Sequence, residues 1–198
     1  MNAFSYVLEH IEGTVLFVSL LIAGVAVVLR FFDIQSKSSR RRILKEEFDA
    51  AIRQLSSESE TNRLAAAILI RRFFTAERGC YRNETIYVLS SLLRVVPTGV
   101  FQKTLADGLA YGHDLSKADL QKTNLQDAYI GSKEQVTTDM RETDLFQADL
   151  SNALIERIDG RKAVFYQSNL QHARIKYSDL SEANFSMADL NHIGLREV

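Results

Sequence analysis

Four histidines, one cysteine and a wealth of Asp and Asn are the residues through which this 198-residue chain could do chemistry. Histidine is the side chain that most readily exchanges a proton or holds a transition metal near neutral pH. His10, His113 and the pair His172 and His192 are scattered, and only the pair has a regular separation, of twenty residues, which would stack one ring above the other on an outer wall. Cys80 has no second cysteine to bridge to, which is consistent with a reducing compartment, and no His or Asp beside it to activate the thiol. Arg71, Arg72, Arg78 and Arg82 form a basic cluster that reads as a solvated helix end rather than a lipid or phosphate site. No phosphate-binding glycine loop, metal-spaced cysteine set, nucleophile elbow or HExxH stands in the chain. No catalytic, cofactor-binding or metal-ligating residue is nominated, and the chain reads as a non-enzyme without cofactors.

The acids and amides belong to a repeat. From Leu115 to Leu195 every fifth residue is large and apolar at fifteen of seventeen positions, the exceptions being Gln135 and Gly160. Two residues before each stands Ala, Ser or Thr in thirteen of the seventeen, as at Ala118, Thr143, Ala163 and Ser168. Between the small and the large residue comes mostly Asp or Asn, as at Asp114, Asn124, Asp149, Asn169 and Asp189. A period of five fits neither a helix nor a strand as a continuous element. It describes short units that alternate in, out, in and then turn a corner, each too small to bury its apolar face without stacking on a neighbour. The Asp and Asn residues are expected to line one outer strip of that stack.

Units such as Ala118-Asp119-Leu120-Gln121-Lys122, Ala148-Asp149-Leu150-Ser151-Asn152 and Ala188-Asp189-Leu190-Asn191-His192 resemble those of the pentapeptide-repeat family, written A(D/N)LXX. The resemblance covers residues 113–198. It implies a right-handed quadrilateral parallel β-helix with four units per coil, so seventeen units make about four coils and, at ~4.8 Å per coil, a tower roughly 20 Å tall. Core residues are then expected to stack at twenty-residue intervals, with Ile130, Leu150, Leu170 and Leu190 in one column and Phe165 ring on ring with Phe185. Two units depart from the pattern. Gln135, inside residues 131–136, would bury an unpaired amide at a cost of about 1–3 kcal/mol, so the unit is expected to bulge outward and recover by Thr138-Asp139-Met140. Gly160 fills no space in its layer, and a cavity or distortion is expected there.

A net charge of −1 conceals three dissimilar segments. Residues 1–29 hold Glu9 and Glu12 and no Lys or Arg; residues 30–112 hold fourteen Lys and Arg against nine acids; residues 113–198 hold ten against fourteen. Residues 13–32 are almost wholly apolar, and twenty helical residues at 1.5 Å each match the thickness of a bilayer core. This stretch reads as a transmembrane helix rather than a signal peptide, because the basic residues lie behind it. Lys37, Arg40, Arg41, Arg42 and Lys45 follow the span and are candidates for contact with anionic lipid headgroups. By the positive-inside rule residues 1–12 lie outside and all that follows the span is cytoplasmic, which makes the chain a single-pass protein of a bacterial plasma (inner) membrane.

Residues 33–112 read as a helical stalk and cap. Leu44, Phe48, Ala51 and Leu55 give an amphipathic helix over 39–56; further helices are expected over 59–75, 84–96, where Pro97 halts it, and 98–111. The segment resembles the helical linker of membrane-anchored pentapeptide-repeat proteins, with 63–69 similar to a HEAT-like pattern. Its fourth helix is the expected cap for the first coil, since an open coil exposes strand edges. At the other end Leu190, Asn191, Ile193, Leu195 and Arg196 are the candidate interaction edge, because the three residues after Leu195 cannot cover a coil about twenty residues round. The resemblance and the self-complementary edge favour a homodimer there over a different protein partner.

The reading is a membrane-anchored α + β protein: one transmembrane helix, an all-α segment and a β-helix, serving as a non-enzymatic scaffold for protein–protein interaction. The alternative, implied by the family, is a DNA mimic that inhibits or protects a type II topoisomerase. A tether and ten basic residues among fourteen acids oppose it, since DNA carries a charge every ~1.7 Å; nucleic acid is not an expected partner.

Overall fold

The computed structural model describes residues 30, 34–75, 79–132 and 136–198. The expected membrane span of residues 13–32 lies almost wholly outside them, as do His10, Arg78 and Gln135. Among the described residues no helix is long and apolar enough to cross a membrane. The chain divides into two compact units, Met1–Glu46 and Glu47–Val198. In the first, residues 34–46 are helical.

The second unit opens on α1, residues 47–55, and then α2 (Glu60–Leu69), α3 (Arg82–Leu93) and α4 (Val100–Ala106) follow. Ser59 starts α2 by accepting the Asn62 N–H on its hydroxyl at 3.4 Å, as an N-cap does. Short 3₁₀ turns at Ile70–Phe74 and Leu109–Tyr111 replace the ends of the expected second and fourth helices. Phe48, Ala51 and Leu55 of α1 are buried as their spacing requires. Phe48 packs on Phe73 and Tyr81 with ring centroids 4.9 and 4.7 Å away.

From residue 113 the backbone coils through short parallel strands and turns. The strands are β1 (Tyr129–Gly131), β2 (Thr138–Asp139), β3 (Leu154–Glu156), β4 (Ile158–Asp159), β5 (Arg174–Lys176) and β6 (Gly194–Arg196). β1, β3, β5 and β6 stack as one sheet, and β2 pairs with β4. Isolated bridges complete the other walls, joining Asp119 to Asp144, Val164 and Asn184, and Asn124 to Asp149, Asn169 and Asp189. Four walls and four coils result.

The register corrects the expected columns. Between the first and second coils every pairing is offset by twenty-five residues, as Tyr129 with Leu154 and Asp114 with Asp139. Above them the offset is twenty, as Leu154 with Arg174 and Arg174 with Gly194. One whole unit between Gly131 and Thr138 therefore contributes no rung, and the wall resumes at Thr138 with Met140 buried. Leu170 accordingly stacks on Leu150 and Leu125, not on Ile130, whose partner is Ile155. Gly131 itself has φ +126°, and a Cβ there would come within 1.8 Å of the Glu156 carbonyl oxygen, so no other residue fits where the chain leaves the wall.

Gly160 leaves no void, contrary to expectation. A Cβ at that position would meet the Leu180 side chain at 2.8 Å and that of Ile158 at 3.2 Å. Ile158 occupies the place where other units carry Ala, Ser or Thr, and it is buried. The unit has exchanged its large and small positions, so that Ile158 fills the layer that Gly160 vacates. The expected ring stacking is present: Phe165 and Phe185 lie 4.6 Å apart with planes 4° from parallel. His172 and His192 stack at 4.9 Å and 5°.

Candidate interaction surfaces of the repeat tower

The outer polar residues do two jobs. In each tight unit the Asp or Asn oxygen accepts the backbone N–H two residues on, as Asp119 from Gln121 at 3.1 Å and Asp149 from Ser151 at 3.0 Å. This closes the start of the corner, a bond these side chains form readily. The corner's second residue then takes positive φ, between 52° and 61° at fifteen non-glycine positions from Lys117 to Glu197. In the tight corners the following small residue donates to the core carbonyl three back, as Ala148 N–H to Leu145 O at 3.0 Å. The Asp and Asn residues line three of the four walls rather than the single strip expected. They serve as turn formers, which is why so many carboxylates stand near one another without any catalytic duty.

One wall carries a column of four acids, Asp114, Asp139, Asp159 and Asp179. It is largely neutralised. Arg82 pairs with Asp114 at 2.6 Å. Arg141 forks onto Asp139 at 2.9 and 2.6 Å and lies 3.7 Å from Asp159. Arg161 repeats the pattern, forking onto Asp159 at 2.8 Å and lying 3.8 Å from Asp179. These guanidinium bonds hold the Asp139 and Asp159 carboxyls below their ordinary values. A depressed folded value stabilises the protein above the unfolded carboxylate value near ~4, and that contribution is lost as pH falls through the folded value. An Arg141→Gln/Arg161→Gln variant should therefore melt slightly below wild type at pH 7, with the difference closing as pH falls below the ordinary carboxylate range. Thermal melts across that range would check it, and a difference that persists in acid would sink the assignment.

The end of the tower nearest the helices is closed on every wall. Arg82 donates to the Asp114 carbonyl. Arg94 donates to the carbonyls of Gln121 and Asp119 at 2.9 and 3.2 Å. Gln102 of α4 donates to those of Asn124 and Gln126 at 2.9 and 3.2 Å, and Asp107 accepts the Tyr129 N–H at 2.8 Å. The cap is thus shared between α3 with its C-cap, Arg94, and α4 with its C-cap, Asp107, where α4 alone was expected. The expected basic cluster also dissolves into separate tasks. Arg71 donates to the Thr104 carbonyl at 2.8 Å and lies 5.0 Å from the Tyr111 ring, while Arg82 serves the cap. A groove of about 350 Å³ lies between α3 and the first coil. Its Arg82, Lys117 and Asp119 are all engaged in ion pairs.

Among the described residues nothing covers the opposite end. In the third coil the N–H groups of Gly160, Phe165 and Leu170 each donate upward at 2.8 Å, to Asp179, Asn184 and Asp189. Their counterparts Leu180, Phe185 and Leu190 in the fourth coil have no backbone acceptor among the described residues. Leu190, Asn191, Leu195 and Arg196 are exposed there and Ile193 is half-buried, with Leu195 at 60% and Met187 at 74% exposure. Lys37, Arg40, Arg41, Arg42 and Lys45 are exposed on residues 34–46 of the first unit. Among the described residues no group of His, Cys, Asp and Glu could hold a metal ion.

A protein-family model described as pentapeptide repeats (8 copies) matches residues 143–181 and 161–196. Among solved structures, HetL of the cyanobacterium Nostoc is 20% identical over 40% of this chain and 37% of its own, with a TM-score of 0.28. QnrB1, a plasmid-mediated fluoroquinolone resistance protein, is 21% identical over 42% and 39%, with a TM-score of 0.28. A protein of the Arabidopsis thaliana thylakoid lumen is 23% identical over 42% and 62%, with a TM-score of 0.23. The chain thus spans less than two thirds of each of these relatives. No curated protein matches it.

Proposed function

Since its repeats make this chain a pentapeptide-repeat protein, we propose that it is a membrane-tethered, non-enzymatic docking module that offers the open coil of its β-solenoid to another protein. The observation that carries this reading is the asymmetry of the tower. The first coil has a side chain or carbonyl from the helices on each wall, while the fourth presents unpaired donors and exposed apolar residues. Such an edge is a template for strand pairing or for a complementary surface. Support for the tether comes from the apolar run 13–32 followed by Lys37, Arg40, Arg41, Arg42 and Lys45, which favours a cytoplasmic tower beneath an external N-terminus. The alternative of DNA imitation is opposed by the Arg141 and Arg161 ladder, which neutralises the most acidic wall.

Two measurements in membranes test the proposal. A reporter fused after Val198 should behave as cytoplasmic, and periplasmic activity at that junction would overturn the topology. Single cysteines at Asn191 or Arg196, in a Cys80→Ser background, should cross-link to whatever meets the open coil. Adducts of twice the chain mass identify the second copy that the sequence favours, and other masses identify a different protein. Cross-linking at Ser19 alone would mean that association runs through the membrane span and would remove the open coil from the account.

A further inference from the structure

The fourth wall differs from the other three. Where those carry Asp or Asn outward at every position but Val164, it carries Tyr129, Leu154, Arg174 and Gly194. It is the wall built of three-residue strands, and β6 ends its sheet with one edge free. Toward that edge the outward surface becomes basic, with Arg174 and Lys176 on β5 and Arg196 on β6. The stacked pair His172 and His192 flanks it at one corner. At the other corner the Tyr177 ring receives the guanidinium groups of Arg157 and Arg196 at 5.2 and 5.5 Å.

Cations elsewhere on the repeats are mostly neutralised: Lys117 by Glu142, Arg141 by Asp139, Arg161 by Asp159 and Lys162 by Glu182. Arg196 has Glu197 at 3.4 Å in an exposed pair, which a better partner could replace. Arg174 and Lys176 have no carboxylate partner among the described residues, although they stand two apart on one strand, pointing the same way. Gly194 adds to this. It sits directly above Arg174 and carries no side chain, and the Arg174 Cγ lies in ordinary contact distance, 3.5 Å, of the place a Cβ would take. The last rung therefore joins a free backbone edge to a group of three cations, of which Arg196 has only the exposed Glu197 and Lys176 stands in register with a Glu156 already paired to Arg157.

We propose that this end of the fourth wall seats an acidic, extended segment of a partner protein, which adds as a fifth strand beside Gly194–Arg196 and sets carboxylates against Arg174, Lys176 and Arg196. The inference rests on the reading of the open coil as a docking edge and names the chemistry of what docks. A strand added there would lie ~4.8 Å beyond β6, with alternate side chains on the basic face and within reach of the long arginines. Other occupants fit less well. A divalent metal at the histidine pair would be repelled by Arg174 and Arg196. A nucleic acid is wider than the wall and would meet the acids of the neighbouring walls. A second copy meeting fourth wall to fourth wall would bring like charges together.

The test uses the full chain purified in detergent micelles and a fluorescein-labelled octapeptide of alternating Glu and Val, followed by anisotropy. Binding is expected, about tenfold or more weakened by Arg174→Glu/Lys176→Glu and weakened to a similar degree when Gln replaces Glu in the peptide. Arg174→Gln/Lys176→Gln is the milder variant, should the charge reversal disturb folding, and Lys122→Glu, at a different corner, should bind as wild type does. Equal affinity for the Glu and Gln peptides would overturn the acidic recognition and leave the docking edge standing. Undiminished binding of a Glu-Val peptide N-methylated at alternate residues would instead overturn strand addition at that edge. Failure of both peptides to bind, or displacement of the Glu peptide by oligo-dT at lower concentrations than by unlabelled peptide, would also overturn the proposal.

Discussion

Leu170→Asp should leave at most the capped first coil of the tower folded at 25 °C. Leu170 is fully buried, with Leu150 below it and Leu190 above. An unpaired carboxylate there costs about 3–5 kcal/mol or takes up a proton at nearly comparable cost, against a total stability of about 5–15 kcal/mol for a domain. Each coil is covered only by its neighbours, so the loss spreads to the coils on both sides. Circular dichroism should show the parallel-sheet signal largely lost. Asp179→Ala is the control, because it removes only exposed bonds to Ser181 and a long contact with Arg161 and should cost little. Equal damage from the two would mean that inward and outward positions have been exchanged.

Gly160→Leu would restore the repeat pattern and yet should destabilise the protein. The space is already held by Leu180 and Ile158, and forcing a large side chain into a filled layer costs about 1–3 kcal/mol. Ile158→Ala should destabilise as well, by about 2–4 kcal/mol, because it empties that layer. Together the two changes rebuild an ordinary unit, with small residue and large residue in their usual places, and the double variant should recover most of the loss. Denaturant midpoints of the three variants form a cycle that isolates the coupling. Independent, additive losses would show that Ile158 does not fill the Gly160 layer.

The walls were legible because one period governs all of them: fifteen large residues at fifth positions leave no other face for the core. The left-handed corner residues were not legible. The position holds Lys, Gln, Glu, Tyr, Met and His alike, since the conformation is imposed by the turn and by bonds between coils rather than by the side chain. The exchange of Ile158 and Gly160 stood in the sequence, but it shows only when the two positions are read as one volume. The register shift could not be read from the departing unit alone, because a bulge and an unfilled rung leave the same residues. Only the pairing of Asp114 with Asp139 decides between them. The capping set is the most hidden part of the surface. Arg82, Arg94, Gln102 and Asp107 come from α3, α4 and their C-caps, and nothing in their spacing foretells that they meet four walls in turn.

That cap also gives the tower a direction. A stack pinned at one boundary and free at the other has coils that differ in stability even where their sequences are alike, because each borrows order from the one beneath it. Opening is therefore graded, with amide protons of residues 178–198 exchanging with solvent first and those of residues 113–132 last. Shortening the chain from its C-terminus should peel away single coils and leave the remainder standing. Removing α3 and α4 would take away the surface on which the first coil is laid down, and with it the seed from which every later coil is copied.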